Sequence, residues 1–254
     1  MTEIRLETQA LGRQFDALIA VADIDFRLAA GARHALIGPN GAGKTTFINL
    51  LTGVLRPSRG RVLLGGRDIT GLPQAERVKL GIARTFQINR LFRGLSVLEN
   101  VCIAITERLG AAGAMFYPAG RRTDIIDEAM QLLQTLKLAE AARHRVSELP
   151  YGRQRLVELA IAIALSPTVL LLDEPAAGVP SAESHIILDA IERLPADIAV
   201  LIIEHDMDVV FRFAERITVL VAGAVLTEGT PQEILADERV RAVYLGERAE
   251  QRHG

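Results

Sequence analysis

Leu36-Ile37-Gly38-Pro39-Asn40-Gly41-Ala42-Gly43-Lys44-Thr45-Thr46-Phe47-Ile48 runs from an apolar strand through a glycine-rich turn into Lys-Thr and an apolar helix start. Gly38, four intervening residues and Gly43-Lys44-Thr45 satisfy the phosphate-clamping P-loop spacing, and the flanking strand and helix supply the context it needs. Glycines let successive backbone N–H groups turn inward onto phosphate oxygens, and the following helix adds the positive end of its dipole. Lys44 can reach the β and γ phosphates, and the Thr45 hydroxyl can ligate Mg²⁺. The candidate phosphate-binding set is therefore Gly38, Pro39, Asn40, Gly41, Ala42, Gly43, Lys44, Thr45 and Thr46.

Outward from that loop, the chain mixes two kinds of strand. Ile4–Thr8 and Ile24, Phe26, Leu28 alternate apolar with polar neighbours, as half-buried antiparallel strands do. Ala35–Ile37 and Val169–Leu172 are continuous apolar runs suited to a central, two-sided sheet. From Phe86 to Leu165 strands are scarce. Ser96 and Glu99 form a capping box, apolar residues at Ile126, Met130, Leu133 and Leu136 mark a second helix, and Gly110–Arg122 reads as the loop between them. After Pro167 the rhythm is βαβ again: strand 169–172, helix 181–194, strand 198–203, helix 206–214, strand 217–221. Thr230-Pro231 opens a short C-terminal helix, and the polar tail beyond Gly246 is expected to fray.

The expected class is α/β: a nucleotide-binding core with a mixed sheet, antiparallel N-terminal strands plus a parallel sheet, and an inserted α-helical subdomain. The expected division is 1–86 and 167–235 for the core, 87–166 for the helical part, and 236–254 for a C-terminal helix and tail. With 254 residues, 49% of them hydrophobic, a sizeable core is affordable. A net charge of −2 argues against nucleic acid as the main ligand. The single Cys102 excludes an intrachain disulfide and suits a reducing cytoplasm. The N-terminus lacks a secretory pattern, and the longest apolar stretch, Leu156–Leu172, is interrupted by Glu158 and Ser166-Pro167, so any membrane anchor must come from other subunits.

A P-loop needs an acidic partner, and Val169-Leu170-Leu171-Leu172-Asp173-Glu174 supplies two carboxylates at a strand's C-terminal end, where open α/β sheets bind ligands. Asp173 is the candidate Mg²⁺ ligand and Glu174 the candidate general base.

Together these residues resemble the ATP-binding cassette subunit of ABC transporters, over almost the whole chain. The resemblance implies further assignments. Arg84-Thr85-Phe86-Gln87 is similar to the Q-loop, where Gln87 touches Mg²⁺ or water and senses membrane subunits. Ile203-Glu204-His205-Asp206 is similar to the switch region, with His205 donating a hydrogen bond to the γ-phosphate. Phe15 lies at the adenine-stacking position, and Ala177-Gly178-Val179-Pro180 at the D-loop. The family's Leu-Ser-Gly-Gly-Gln signature corresponds to Leu149-Pro150-Tyr151-Gly152-Arg153; Pro150 removes one hydroxyl and one N–H, leaving Tyr151, Gly152 and Arg153 to meet the nucleotide of a partner cassette.

The Tyr-Gly signature, Asp173–Gly178 and the tail Asp237–Glu247 resemble the ATP-binding subunits of branched-chain amino acid uptake systems. The implied cofactors are ATP and Mg²⁺. The implied partners are a second ABC ATPase subunit, identical or different, integral membrane permease subunits and, indirectly, a solute-binding protein, at the cytoplasmic face of the cell membrane. A soluble non-transport ABC ATPase and a nucleotide-dependent regulatory subunit with weak turnover are the alternatives.

Overall fold

The computed structural model describes residues 3–85, 91–110, 119–179 and 181–250, with backbone alone for 119–122, 181–184 and 245–250. The chain begins with β1 (Ile4–Phe15), β2 (Leu18–Ala29), β3 (Arg33–Ile37), α1 (Lys44–Thr52), β4 (Arg59–Leu64), β5 (Arg67–Asp68) and α2 (Gln74–Lys79). Next come β6 (Ile82–Arg84), α3 (Val97–Arg108), α4 (Ala119–Thr135), α5 (Tyr151–Ala164), β7 (Val169–Asp173) and α6 (Ser181–Glu192). It closes with β8 (Ala199–Ile203), α7 (Met207–Phe213), β9 (Arg216–Val221), β10 (Ala224–Gly229), α8 (Pro231–Ala236) and α9 (Glu238–Glu250). These form two compact units, one of residues up to Arg77 and from Ala196 onward, the other Val78–Pro195.

The first unit holds an antiparallel sheet in the order β2-β1-β4-β5. It also holds a parallel set in which β3 pairs with both β8 and β9, while β10 returns antiparallel on β9. The mixture anticipated from the strand patterns is thus present as antiparallel and parallel sheets. β1 and β2 run twelve residues each, further than the alternation at Ile4–Thr8 suggests, because a bulge between Thr8 and Leu11 absorbs the break in pattern. Ala10 takes a left-handed φ of 45° there, and its N–H donates to Asp25 Oδ1 at 2.7 Å. All five residues of β8 are buried, its Val, Leu and Ile side chains each contributing about 1.5–3 kcal/mol of burial.

In the second unit β6 and β7 pair in parallel, and α3, α4 and α5 pack on one another. The capping box at Ser96 and Glu99 forms as expected. Two expectations are corrected. The loop assigned to Gly110–Arg122 ends sooner, since 119–122 already belong to α4; residues 111–118 lie outside the described residues. The buried stripe of α4 is Ile125, Ala129 and Leu133, continued by Leu136 just past its end, and Ile126 is 44% exposed, because packing on α3 and α5 selects the face that carries the small Ala129. At the C-terminus, 247–250 extend α9 where fraying was expected. Among the described residues no helix is long and apolar enough to cross a membrane.

Candidate nucleotide site

In the first unit, β3 delivers the chain into the turn at Gly38. Gly38 has φ 151°, and a Cβ there would lie 2.1 Å from the Leu220 carbonyl oxygen on β9. Gly43, the N-cap of α1, has φ 97°, and its Cβ would lie 2.4 Å from the Ala20 oxygen on β2. Both positions demand glycine twice over, by conformation and by space. Between them, Ala42 is buried with its N–H on the Pro39 carbonyl at 3.1 Å, while Asn40 and Gly41 are exposed. Lys44 Nζ bends back over the turn and donates to the Gly38 and Pro39 carbonyls at 2.5 and 2.9 Å. Thr45 is exposed and Thr46 half-buried on the first turn of α1. That helix start carries no side-chain cap and no acidic residue in its first turn, so its leading N–H groups and Lys44 form a cradle suited to an anion.

β8 pairs with β3 in parallel register, Leu36 opposite Ile203, so the chain leaves both strands on the same edge. His205 therefore emerges level with the start of the phosphate turn, its side chain 68% exposed. Its backbone N–H donates to the buried Glu204 carboxylate at 3.2 Å. Phe15 closes the β1–β2 hairpin opposite Leu18, 37% exposed, with the Arg13 guanidinium 4.5 Å from its ring centroid. One face of the ring is thus dressed by a cation, leaving an aromatic platform at the hairpin tip.

In the second unit, the fully buried β7 ends at Asp173, 3% exposed. Glu174 follows at φ 47°, a left-handed conformation uncommon for a residue with a side chain, which turns the strand abruptly and leaves Glu174 half-buried. Asp173 Oδ2 accepts from Arg84 Nη2 at 2.5 Å. The hydroxyl of Thr45 and the carboxylate of Asp173 are hard oxygen donors of the kind Mg²⁺ takes, and Asp173 is already placed to hold positive charge. Pro150 caps α5 without a side-chain bond, its carbonyl accepting the Gln154 N–H at 3.1 Å. Gln154 folds back to donate to the Leu149 carbonyl at 2.9 Å. Tyr151 is partly exposed and lies against Gly178, where an added Cβ would come within 3.3 Å of the ring. Arg155 sits 5.1 Å from the Tyr151 ring centroid. Gly152 is buried and Arg153 exposed at this helix start.

Gln87, Phe86 and Pro180 lie outside the described residues. Within the first unit the β3–β8 register sets His205 level with the start of the phosphate turn, and within the second Tyr151 at the start of α5 lies against Gly178. The reading of motifs missed Arg84 as the partner of Asp173. It also missed the Arg155–Glu158 pair and Arg77, whose guanidinium donates to the carbonyls of Leu50, Leu51, Thr70 and Leu72. For Arg84, its place three residues before Gln87 is the one sequence signal.

The family profile described as "ABC transporter" matches residues 21–177, and one described as "Branched-chain amino acid ATP-binding cassette transporter" matches 224–250. The high-affinity branched-chain amino acid transport ATP-binding protein LivG of Salmonella typhimurium is 38% identical over 97% of this chain and its own full length. The lipopolysaccharide export system ATP-binding protein LptB of Acidithiobacillus ferridurans is also 38% identical, over 97% of this chain and 98% of its own. Among solved structures, the ADP conformation of MJ1267, an ATP-binding cassette of an ABC transporter, is 30% identical and superposes with a TM-score of 0.84 over 96% of this chain and all of that one. With its glycine cradle, paired carboxylates and matches along nearly its whole length, this chain belongs to the ABC transporter family as an ATP-binding cassette ATPase.

Proposed function

We propose that this cassette powers the uptake of branched-chain amino acids, or of a related small polar solute, through separate membrane subunits. One observation carries the choice of cargo class. The C-terminal segment 224–250 matches the branched-chain amino acid profile, whereas overall identity does not choose, since LivG, named for branched-chain amino acid transport, and LptB, named for lipopolysaccharide export, are each 38% identical over 97% of this chain.

In the proposed mechanism Phe15 stacks on adenine, and the N–H groups of Gly38–Thr46 with Lys44 hold the phosphates. Thr45, Asp173 and Gln87 hold Mg²⁺, which when bound neutralises phosphate charge. Glu174 accepts the proton of the water that attacks the γ-phosphorus, and His205 donates a hydrogen bond to the γ-phosphate. The start of α5, Tyr151 to Arg153, faces the nucleotide of a second cassette, identical or different. Two cassettes thereby close around ATP and reopen after hydrolysis, and Gln87 passes that motion to permease subunits loaded by a solute-binding protein. The proposed working place is the cytoplasmic face of the membrane.

The test is co-expression with candidate permease subunits and uptake of radiolabelled leucine into cells lacking their own systems. Uptake should depend on Lys44 and Glu174: Lys44→Ala should weaken ATP binding about 100-fold or more, and Glu174→Gln should lower kcat by about 10²–10⁴ while ATP stays bound. Normal hydrolysis in Glu174→Gln contradicts the general-base role. Hydrolysis without leucine-stimulated uptake contradicts the cargo class alone.

A further inference from the structure

Arg84 and Asp173 end neighbouring parallel strands, with Arg84 opposite Leu171 in the β6–β7 register. Their ion pair is nearly dry, the side chains 10% and 3% exposed. A buried carboxylate with one oxygen on a guanidinium cannot also hold a divalent cation without bringing two positive groups together in a medium that screens them poorly. Nor can the guanidinium simply be left alone, since an uncompensated buried charge costs several kcal/mol. Any cation that binds Asp173 therefore needs somewhere for Arg84 to go.

The second unit offers such a place. Arg84 lines a cleft of about 130 Å³ with Thr85, Leu91, Ile161, Leu165 and Glu158. Glu158 is 9% exposed, and its Oε2 accepts from Arg155 Nη1 at 2.8 Å. Its Oε1 is buried and makes no hydrogen bond among the described residues, and the same holds for the Thr85 hydroxyl on the same wall. Burial pushes the Glu158 carboxyl above its usual range, with Arg155 opposing, as expected of a group short of donors. Buried acceptors are rarely left unmet without a reason.

We propose that Arg84 is a two-position guanidinium, bound to Asp173 in one arrangement and to Glu158 Oε1 in the other, so that metal arrival at Asp173 drives it into the cleft. The inference rests on the assignment of Asp173 to Mg²⁺ made above. It makes Arg84 a positioning residue, acting by occupying the metal's ligand. It also links the metal to the chain leading into Gln87, three residues on. Thr85 Oγ1 is a second acceptor for the displaced guanidinium.

The experiment titrates Mg²⁺ into the full-length protein with saturating ATP at pH 8 and follows the thermal unfolding midpoint. A parallel titration with Mn²⁺ reads the free ion by its electron paramagnetic resonance signal. Arg84→Gln removes the competitor and should lower the half-saturating metal concentration about tenfold. Glu158→Gln weakens the second position and should raise it about threefold or more, and Arg84→Lys, a single-point charge without the guanidinium fork, should fall between wild type and Arg84→Gln. Opposite shifts in Arg84→Gln and Glu158→Gln are a result that loosened packing alone does not produce. Unchanged metal dependence in Glu158→Gln, or shifts of the same sign in both, overturns the proposal. Should Arg84→Gln fail to fold, Arg84→Lys and Glu158→Gln decide the matter by the same opposition of sign. A wild-type protein with no metal-dependent midpoint overturns the Asp173 assignment and the competition with it.

Discussion

His34, on the strand that feeds the phosphate turn, is held by a relay of three partners. Thr218 Oγ1 donates its one proton to Glu228 Oε2 at 2.9 Å, so it must accept from His34 Nε2 at 2.8 Å, which fixes the imidazole as the Nε2–H tautomer. Glu228 in turn bridges to Arg216 at 2.9 Å. Burial drives the His34 pKa from 6.5 to about 4, with Glu228 opposing and Arg216 adding to the fall. A histidine whose folded pKa is depressed binds fewer protons folded than unfolded between those values. Stability should be full above about pH 6.5, decline as pH falls toward about 4, and level off below, the total loss reaching about 3 kcal/mol. Urea midpoints of wild type and His34→Gln at pH 7.5, 5.5 and 4.5 check this; equal pH slopes would show that His34 is not the titrating group. Lys44, Asp173 and Glu174 stood out in the sequence because each is defined by near neighbours in the chain. His34 and Arg84 did not, because their partners lie 184 and 89 residues away and only strand register brings them together.

Among the elements, α1 is the one on which phosphate binding depends, and it is fastened at both ends. Its start is shaped by Gly43, and its end by Gly53 in a left-handed conformation and by Arg77. Arg77 is 1% exposed and stays paired with four carbonyls, including Leu50 and Leu51 of α1 at 2.8 and 2.9 Å, although burial lowers its pKa. A cation at a helix C-terminus also complements the dipole whose positive end faces the phosphate turn. Arg77→Leu should therefore cost about 2–4 kcal/mol, read as a lower urea midpoint, since the carbonyls would be left buried and unmet. A loss below about 0.5 kcal/mol would mean water replaces the guanidinium. The capping box at Ser96 was readable from four consecutive residues and formed as read, and Thr230-Pro231 opens α8 as expected, with Glu233 completing a box that was not read. The register of α4 was not legible, because Ile125 and Ile126 are chemically alike and only packing against α3 and α5 chooses between them.

At the scale of the whole molecule, the α/β class and the mixed sheets followed from strand patterns alone, since alternating and continuous apolar runs dictate different burial. Nucleotide binding should appear as a global gain in stability. With Mg²⁺ present, ATP at about 1,000 times its Kd adds about 4 kcal/mol, roughly 8 °C or more in Tm for a chain of this size. At the same ATP concentration Lys44→Ala, binding about 100-fold more weakly, should keep no more than about 1.4 kcal/mol of that gain, and a variant that keeps the full shift would remove Lys44 from the phosphate cradle.

The pairing of β3 with β8 and β9 has a consequence for synthesis on the ribosome. Residues 78–195 form a unit continuous in sequence, so all of its contacts are available once that stretch has left the exit tunnel. β3 is made early yet must wait for strands that begin at Ala199 and Arg216. Through that interval its buried apolar residues and both hydrogen-bonding edges face solvent, an invitation to aggregation that translation speed and chaperone capture must cover.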